Sequence, residues 1–219
     1  MRSLGIAAFV AFAGMAASPH ALRAWQATGA VPVIPPPRGM VNDFANVIPP
    51  AQAARIEALA DEVRAKSGGE IAVVTLADIG GRDVGDIALR IGREWTVGAA
   101  AKIGDATRNA GVVILVVPKE TSSDGRGQVS VQVGHGSEGF ITDADAGDIR
   151  SEAMPLLQRR DYGDAIELMT QRVAQHFAAV FNFPLDSAGL APIQRQVTGR
   201  RQPSGEFPPQ LVFFIFVLL

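Results

Sequence analysis

The stretch that most constrains the fold of this chain is GVVILVV at residues 111–117, the most apolar run of its central part. A short, continuous apolar run rich in β-branched residues is typical of a strand buried on both faces. We therefore expect residues 111–117 to be a central strand, with helices packed on both faces of its sheet.

Strand-like and helix-like periods alternate around this run. EIAVVTL (70–76) predicts a buried strand, and the alternating valines of QVSVQVG (128–134) predict a strand with one exposed face. The loop between 111–117 and 128–134 contains Asp-Gly, which indicates a hairpin. The sequence therefore predicts the α/β class with a mixed sheet.

Four segments have apolar residues at helical spacing, and they give the order helix, strand, helix, strand, strand, helix, helix. We expect the first helix to begin at Pro49–Pro50 and to end at Gly68, and the second to begin at an Asp83 N-cap. The third should begin near Asp143–Asp145 and bend or end at Pro155. The last should bury the apolar residues of one face, Ile166, Met169, Val173, Phe177 and Val180.

Composition excludes several classes of function. The formal net charge of −2 gives no electrostatic support for a nucleic-acid partner. The chain has no cysteine, so disulfides and thiolate chemistry are excluded. With 47% hydrophobic and 19% charged residues, the chain can bury a core, and its 219 residues suit one domain plus tails.

The N-terminus predicts export. Arg2 precedes an apolar stretch from Leu4 to Ala17, which is too short to span a bilayer and has the length of a signal-peptide core. We expect a signal peptide over 1–24, cleaved after Ser18 or Ala24, and a Pro-rich linker over 25–39; the alternative is an uncleaved anchor. Either way, the body is expected in a periplasm or at the cell exterior.

The C-terminus predicts a membrane anchor. Residues 40–183 are expected to form the folded domain, and 184–210 form a second linker rich in Pro, Gly and Gln. The chain then closes with nine apolar residues, 211–219, whereas a membrane helix needs about 20. We interpret them as the start of a truncated transmembrane helix; the alternative is a short apolar tail that packs on the body.

The segment GHGSEG (134–139) spells the G-x-G-x-x-G pattern of dinucleotide sites. That fingerprint requires a βαβ unit, whereas these glycines follow the closing strand of a predicted hairpin, and no apolar strand follows the next helix. We therefore reject a dinucleotide ligand. The glycines are expected to provide positive φ angles and a close backbone approach where the strand ends.

Acidic residues near the glycines suggest a hard cation as ligand. Glu138, Asp143, Asp145 and Asp148 follow the glycines, and Asn42 and Asp43 precede the first helix. Ca²⁺ and Mg²⁺ are bound by carboxylate, amide and carbonyl oxygens. The alternative is that Asp43 forms a turn and that the later acids complement a helix dipole without a ligand.

Several motifs in order resemble the TPM domain family over residues 40–183. They are VNDFA, EIAVVTL, WTVG, NAGVVILVV, VGHGSEG with Asp143 close behind, and DYGDAI. The resemblance implies a three-layer α/β/α sandwich around a mixed central sheet. It also implies an exported domain followed by one transmembrane helix.

The resemblance implies a divalent cation site, for Ca²⁺ or Mg²⁺, at Asn42, Asp43, Glu138 and Asp143. Glu138 and Asp143 would then face Asp43 across a shallow cleft. The chain departs from the family pattern at two positions, because Arg108-Asn109 and Gln132 stand where many members have an acid. Fewer carboxylates imply weaker cation binding.

The family leaves two functions open, because some members are described as acid phosphatases and others bind ions without that activity. One hypothesis is a cation-binding, membrane-tethered domain that acts as a metal-assisted phosphomonoesterase. No nucleophile is evident, so water activated by a metal is the mechanism that fits. The alternative is a non-catalytic interaction module that assists assembly or repair of membrane protein complexes.

Overall fold

The computed structural model describes residues 32–98 and 110–186. The predicted signal peptide 1–24, the Arg108-Asn109 pair and the apolar run 211–219 lie outside the described residues. The elements, in chain order, are β1 (Val41–Asp43), α1 (Pro50–Ser67), β2 (Glu70–Thr75), α2 (Val84–Glu94), β3 (Gly111–Val117), β4 (Gln128–Val133), α3 (Asp143–Gln158) and α4 (Tyr162–Phe181).

The described strands form one mixed sheet in the order β1-β2-β3-β4. β1, β2 and β3 are parallel, with Val41 opposite Val73 and Ile71 opposite Val112. β4 is antiparallel to β3, with Val112 opposite Val133, so the predicted hairpin is confirmed. The carboxyl ends of the three parallel strands therefore share one end of the sheet with the beginning of β4.

Helices cover both faces of this sheet, as predicted. Helices α1, α3 and α4 form one core with Val73, Ile114 and Val131, and α2 forms a second core with Val74 and Leu115. All seven residues of β3 are buried, because alternate side chains enter the two cores. The three-layer α/β/α sandwich is confirmed.

Local sequence signals explain where the helices begin and end. Gly68 closes α1 in the left-handed conformation at φ 74°, and Asp83 caps α2 by accepting a hydrogen bond from Asp86 N. Thr142 and Asp145 form a capping box at the start of α3. Pro155 lies inside α3, which continues to Gln158, so the helix does not end at the proline.

The structure corrects two sequence expectations about the elements. Strand β1 was missed, because three residues with Asn42 and Asp43 among them carry no β signal and hydrogen bonding to β2 alone defines the strand. Val180 was expected to be buried with Phe177, but it is 51% exposed, and the neighbouring Phe181 packs against the core in its place. Across residues 32–98 and 110–186, no helix combines the length and apolar character needed to span a bilayer.

The packing of α4 on the beginning of β2 predicts a steric effect at Gly69. A Cβ added to Gly69 would overlap the ring of Phe177, which is fully buried. Gly69→Ala is expected to lower the free energy of unfolding by about 1–3 kcal/mol, because the ring must shift in a close-packed core. Gly139→Ala is the matched control, since its Cβ would meet no atom within 4 Å. Urea unfolding compares the two, and equal stability would contradict this packing.

Candidate functional site

Asn42 lies in the middle of β1 and is almost fully buried, with 1% of its surface exposed. Its Oδ1 accepts a hydrogen bond from Arg38 N at 2.7 Å, and its Nδ2 donates to Gly39 O at 2.9 Å. The side-chain amide thus closes the turn that leads into β1. Both of its polar atoms are used for this local structure.

Asp43 ends β1 and organises the loop that leads to α1. Its Oδ1 accepts a hydrogen bond from Val47 N at 3.1 Å and another from Thr75 Oγ1, and its Oδ2 accepts one from Ile48 N at 2.8 Å. Thr75 Oγ1 in turn accepts a hydrogen bond from Ala45 N at 3.0 Å. This carboxylate therefore has a structural task, which sequence analysis had offered as the alternative to metal binding.

Glu138 and Asp143 lie beyond the other end of the sheet, after the last residue of β4. The Glu138 side chain is 56% exposed, and its Oε1 is 3.1 Å from Nδ1 of the exposed His135. Asp143 is exposed in the first turn of α3, where a carboxylate complements the helix dipole. Glu138 and His135 line a cleft of about 640 Å³ with Arg93 of α2.

The structure does not bring the four predicted residues together. Asp43 is in register with Thr75, and through β3 that row reaches Val129 near the beginning of β4, whereas Glu138 follows the far end of β4. Strand spacing places Asp43 and Val133, the last residue of β4, about 19 Å apart. In the part of the chain that the structure describes, no group of three His, Asp or Glu side chains is placed to hold a metal.

The glycine-rich segment forms a compact turn between β4 and α3. Gly134 N donates to Gly111 O at 2.7 Å, Ser137 N donates to Gly134 O at 2.8 Å, and Ile141 N donates to Ser137 O at 2.8 Å. The positive φ angles expected for the glycines are wrong, since Gly134, Gly136 and Gly139 all lie outside that region. Gly134 continues the β3–β4 ladder to Gly111, whereas a Cβ added to Gly139 would meet no atom within 4 Å.

Two polar residues that hold the VND segment were missed by the sequence analysis. Glu57 of α1 accepts hydrogen bonds from Met40 N at 2.8 Å and from Val41 N at 2.7 Å, so its carboxylate fixes the start of β1. Thr75 binds Asp43 from the end of β2. A helical acid and a strand threonine have no local signal for such roles, because both contacts follow from long-range packing.

A second cleft of about 300 Å³ lies between α3 and the beginning of β4. At its rim, Tyr162 Oη donates to Glu120 Oε2 at 2.6 Å and accepts from Lys119 N at 3.2 Å, and Arg160 pairs with Glu120 at 2.7 Å. The hydrogen bond from Tyr162 lowers the pKa of Glu120. Burial, and then the hydrogen bond to Glu120, raise the pKa of Tyr162. The pair therefore stays as carboxylate and phenol at neutral pH.

Comparison with known proteins gives a family and a fold. The TPM domain model matches residues 41–176, more than half of the chain. The N-terminal domain of a protein from P. gingivalis is 25% identical, with a TM-score of 0.55 and coverage of 66% of this chain and 85% of that one. The N-terminal domain of the cg2496 protein from Corynebacterium glutamicum is 17% identical, with a TM-score of 0.48 and coverage of 77% and 97%. No curated protein matches.

The contacts of Asp43 predict a loss of stability when its charge is removed. In Asp43→Asn, one acceptor oxygen becomes an NH₂ group, so Val47 N, Ile48 N or the buried Thr75 hydroxyl loses its partner. We expect the free energy of unfolding to fall by about 1–3 kcal/mol. Asp148→Asn, at an exposed position of α3, should change it by less than about 0.5 kcal/mol. Urea unfolding measures both, and equal losses would contradict a structural role for Asp43.

Proposed function

Because the chain belongs to the TPM domain family, as its motifs predicted, we propose that it is a non-catalytic interaction domain. In this role it assists the assembly or repair of a membrane protein complex. The proposal selects the second of the two functions that the sequence left open.

The observation that supports this proposal is the structural use of Asn42 and Asp43. Both polar atoms of Asn42 and both carboxylate oxygens of Asp43 accept or donate hydrogen bonds within their own turns and to Thr75. A hydrolytic centre needs a cation, or a base, close to the atom that reacts. Asp43 lies at one end of the sheet, whereas Glu138 and Asp143 lie beyond the other end.

A weak divalent cation site at the end of β4 is the second candidate. Glu138 has an exposed carboxylate at the rim of the cleft that His135 also lines, and Asp143 follows in the first turn of α3. Ca²⁺ or Mg²⁺ held there would keep most of its water ligands, since the described side chains supply few oxygens. Such an ion would polarise a phosphoryl oxygen if the domain were a phosphomonoesterase.

One experiment separates the two candidates. The metal-stripped full chain is assayed for hydrolysis of p-nitrophenyl phosphate with and without Ca²⁺ or Mg²⁺, beside Glu138→Gln and Asp43→Asn. We expect no metal-dependent hydrolysis by any of the three proteins. We also expect that any calorimetric Ca²⁺ binding is lost in Glu138→Gln and kept in Asp43→Asn. Turnover that requires the metal and disappears in Glu138→Gln would contradict a non-catalytic role.

We propose that this domain lies outside the cytoplasm and on a membrane. This placement is supported by the sequence of two segments outside the described residues, the apolar stretch from Leu4 to Ala17 and the apolar run 211–219. The membrane would be contacted through the second of these segments.

Location is tested on the protein recovered from its native cell. We expect it in the membrane fraction after alkaline washing, with a mature N-terminus at Pro19 or Trp25. Recovery in the soluble cytoplasmic fraction with Met1 retained would contradict this location. The hydrolysis assay would still test separately whether the domain is catalytic.

A further inference from the structure

The cleft of about 300 Å³ between α3 and the beginning of β4 has an apolar floor. The floor is formed by Val129 of β4 with Met154 and Leu157 of α3. Met154 is 38% exposed, so a ligand can reach this floor from solvent. Small-molecule sites are commonly about 300–1,000 Å³ in volume and mostly apolar, with a few polar groups that orient the ligand. The cleft therefore has the size and the floor of a site for one small molecule.

Charged groups from two segments of the chain meet at the rim of this cleft. Lys119 and Glu120 follow β3, and Arg160 lies in the turn between α3 and α4. Glu120 accepts a hydrogen bond from Tyr162 Oη and pairs with Arg160, so its charge is already compensated. The exposed Lys119 ammonium makes no hydrogen bond or salt bridge to the described residues. The rim therefore carries one positive charge in excess.

The backbone of Arg160 is in the left-handed conformation, at φ 68°. Arg160 N donates to Leu157 O and Asp161 N donates to Leu156 O, which is the pattern of a helix end where glycine is preferred. A residue with a Cβ is disfavoured in this conformation. The exposed ion pair of Arg160 with Glu120 offsets little of this cost, because surface pairs contribute little to stability. An arginine at this position therefore indicates a further task for its guanidinium.

The charges at the rim select the charge of the ligand. An excess positive charge favours an anion over a cation. Glu120 is ionised, because the hydrogen bond from Tyr162 lowers its pKa, and it would repel a phosphate dianion more than a carboxylate. Arg159 and Asp161, in the turn after α3, pair with each other and leave this balance unchanged. A ligand with a single negative charge therefore fits the rim.

We propose that this cleft binds a small organic acid that has one carboxylate and an apolar body. The carboxylate is held at the rim by Lys119 and Arg160, and the body packs on the apolar floor. The site is separate from Glu138, which follows the other end of β4. It does not depend on the interaction role proposed above, and it adds a ligand to the domain.

The probe is 4-ethylbenzoate, which has one carboxylate and a compact apolar ring. It is titrated to millimolar concentration into the full chain in detergent micelles, with the methionine methyl groups labelled with ¹³C. The Met154 signal is identified by its loss in Met154→Leu. We expect this signal to shift, because the bound ring lies beside it, while the signal of the fully buried Met169 stays in place. An unshifted Met154 signal would overturn the proposal.

Two further compounds separate the charge of the ligand from its apolar body. The neutral 4-ethylbenzamide has the same body without the charge, and acetate has the charge without the body. Both should leave the Met154 signal in place at concentrations at which 4-ethylbenzoate saturates the shift, since the site uses both parts of the ligand. An amide that shifts the signal as strongly as the acid would contradict the role of the rim. An equal effect of acetate would contradict the role of the floor, and either result would overturn the proposal.

A pair of variants with the same loss of charge tests the rim from the protein side. Lys119→Gln removes the ammonium at the rim and should weaken binding of 4-ethylbenzoate about fivefold. Arg64→Gln removes one positive charge from an exposed position near the end of α1, away from the cleft, and should bind within about twofold of the parent chain. Equal binding by the two variants would overturn the proposal.

Arg160→Gly separates the ligand role of this residue from its place in the fold. Glycine favours the left-handed conformation, so the urea midpoint should stay the same or rise, although the pair with Glu120 is lost. Binding of 4-ethylbenzoate should nevertheless weaken about fivefold. Binding equal to that of the parent chain would show that Arg160 does not hold the carboxylate, and the proposal would be wrong.

A free acid is distinguished from the end of a peptide chain with N-acetyl-Ala-Ala-Phe, which ends in a carboxylate beside an apolar side chain. We expect this peptide to bind more weakly than 4-ethylbenzoate, because its backbone carries polar groups into a cleft with an apolar floor. Tighter binding of the peptide would overturn a small acid as the ligand. The hydrolysis assay is independent of these titrations, so failure of this site is distinguishable from failure of the interaction role.

Discussion

The burial of β3 on both faces is the constraint on which the rest of the structure depends. Each of its seven residues is shielded from water, so the sheet must carry helices above and below. Burial of each valine, leucine or isoleucine side chain stabilises the fold by about 1.5–3 kcal/mol. The three helices on one face and α2 on the other meet this requirement.

The two outer strands use their polar groups in different ways. β1 is short, and its two polar side chains form hydrogen bonds in the adjoining turns, Asn42 in the turn before the strand and Asp43 in the loop after it. Glu57 of α1 holds the start of the strand. β4 has no acidic residue, and the two clefts lie at its opposite ends. The polar groups of the VND motif therefore have structural contacts at β1.

The sequence was sufficient to predict the layers but not the geometry of the site. Helical periodicity, the apolar run 111–117 and the Asp-Gly hairpin signal are local, and they determined the class of fold and the mixed sheet. The relation between Asp43 and Glu138 depends on strand order and register, which no local pattern encodes. The same limit explains why Thr75 and Glu57 were missed, since their partners lie 32 and 16 residues away, respectively.

Asp43 holds its own loop through hydrogen bonds from Val47 N, Ile48 N and Thr75 Oγ1, and we propose that it does not bind a cation. Paramagnetic broadening by Mn²⁺ tests this proposal, because an ion bound at a carboxylate broadens the amide signals nearest to it. During titration of the ¹⁵N-labelled chain, we expect signals of the loop 134–142 to broaden first, while Val47, Ile48 and Thr75 stay sharp. Early broadening at Val47, Ile48 and Thr75 would show instead that Asp43 binds the ion.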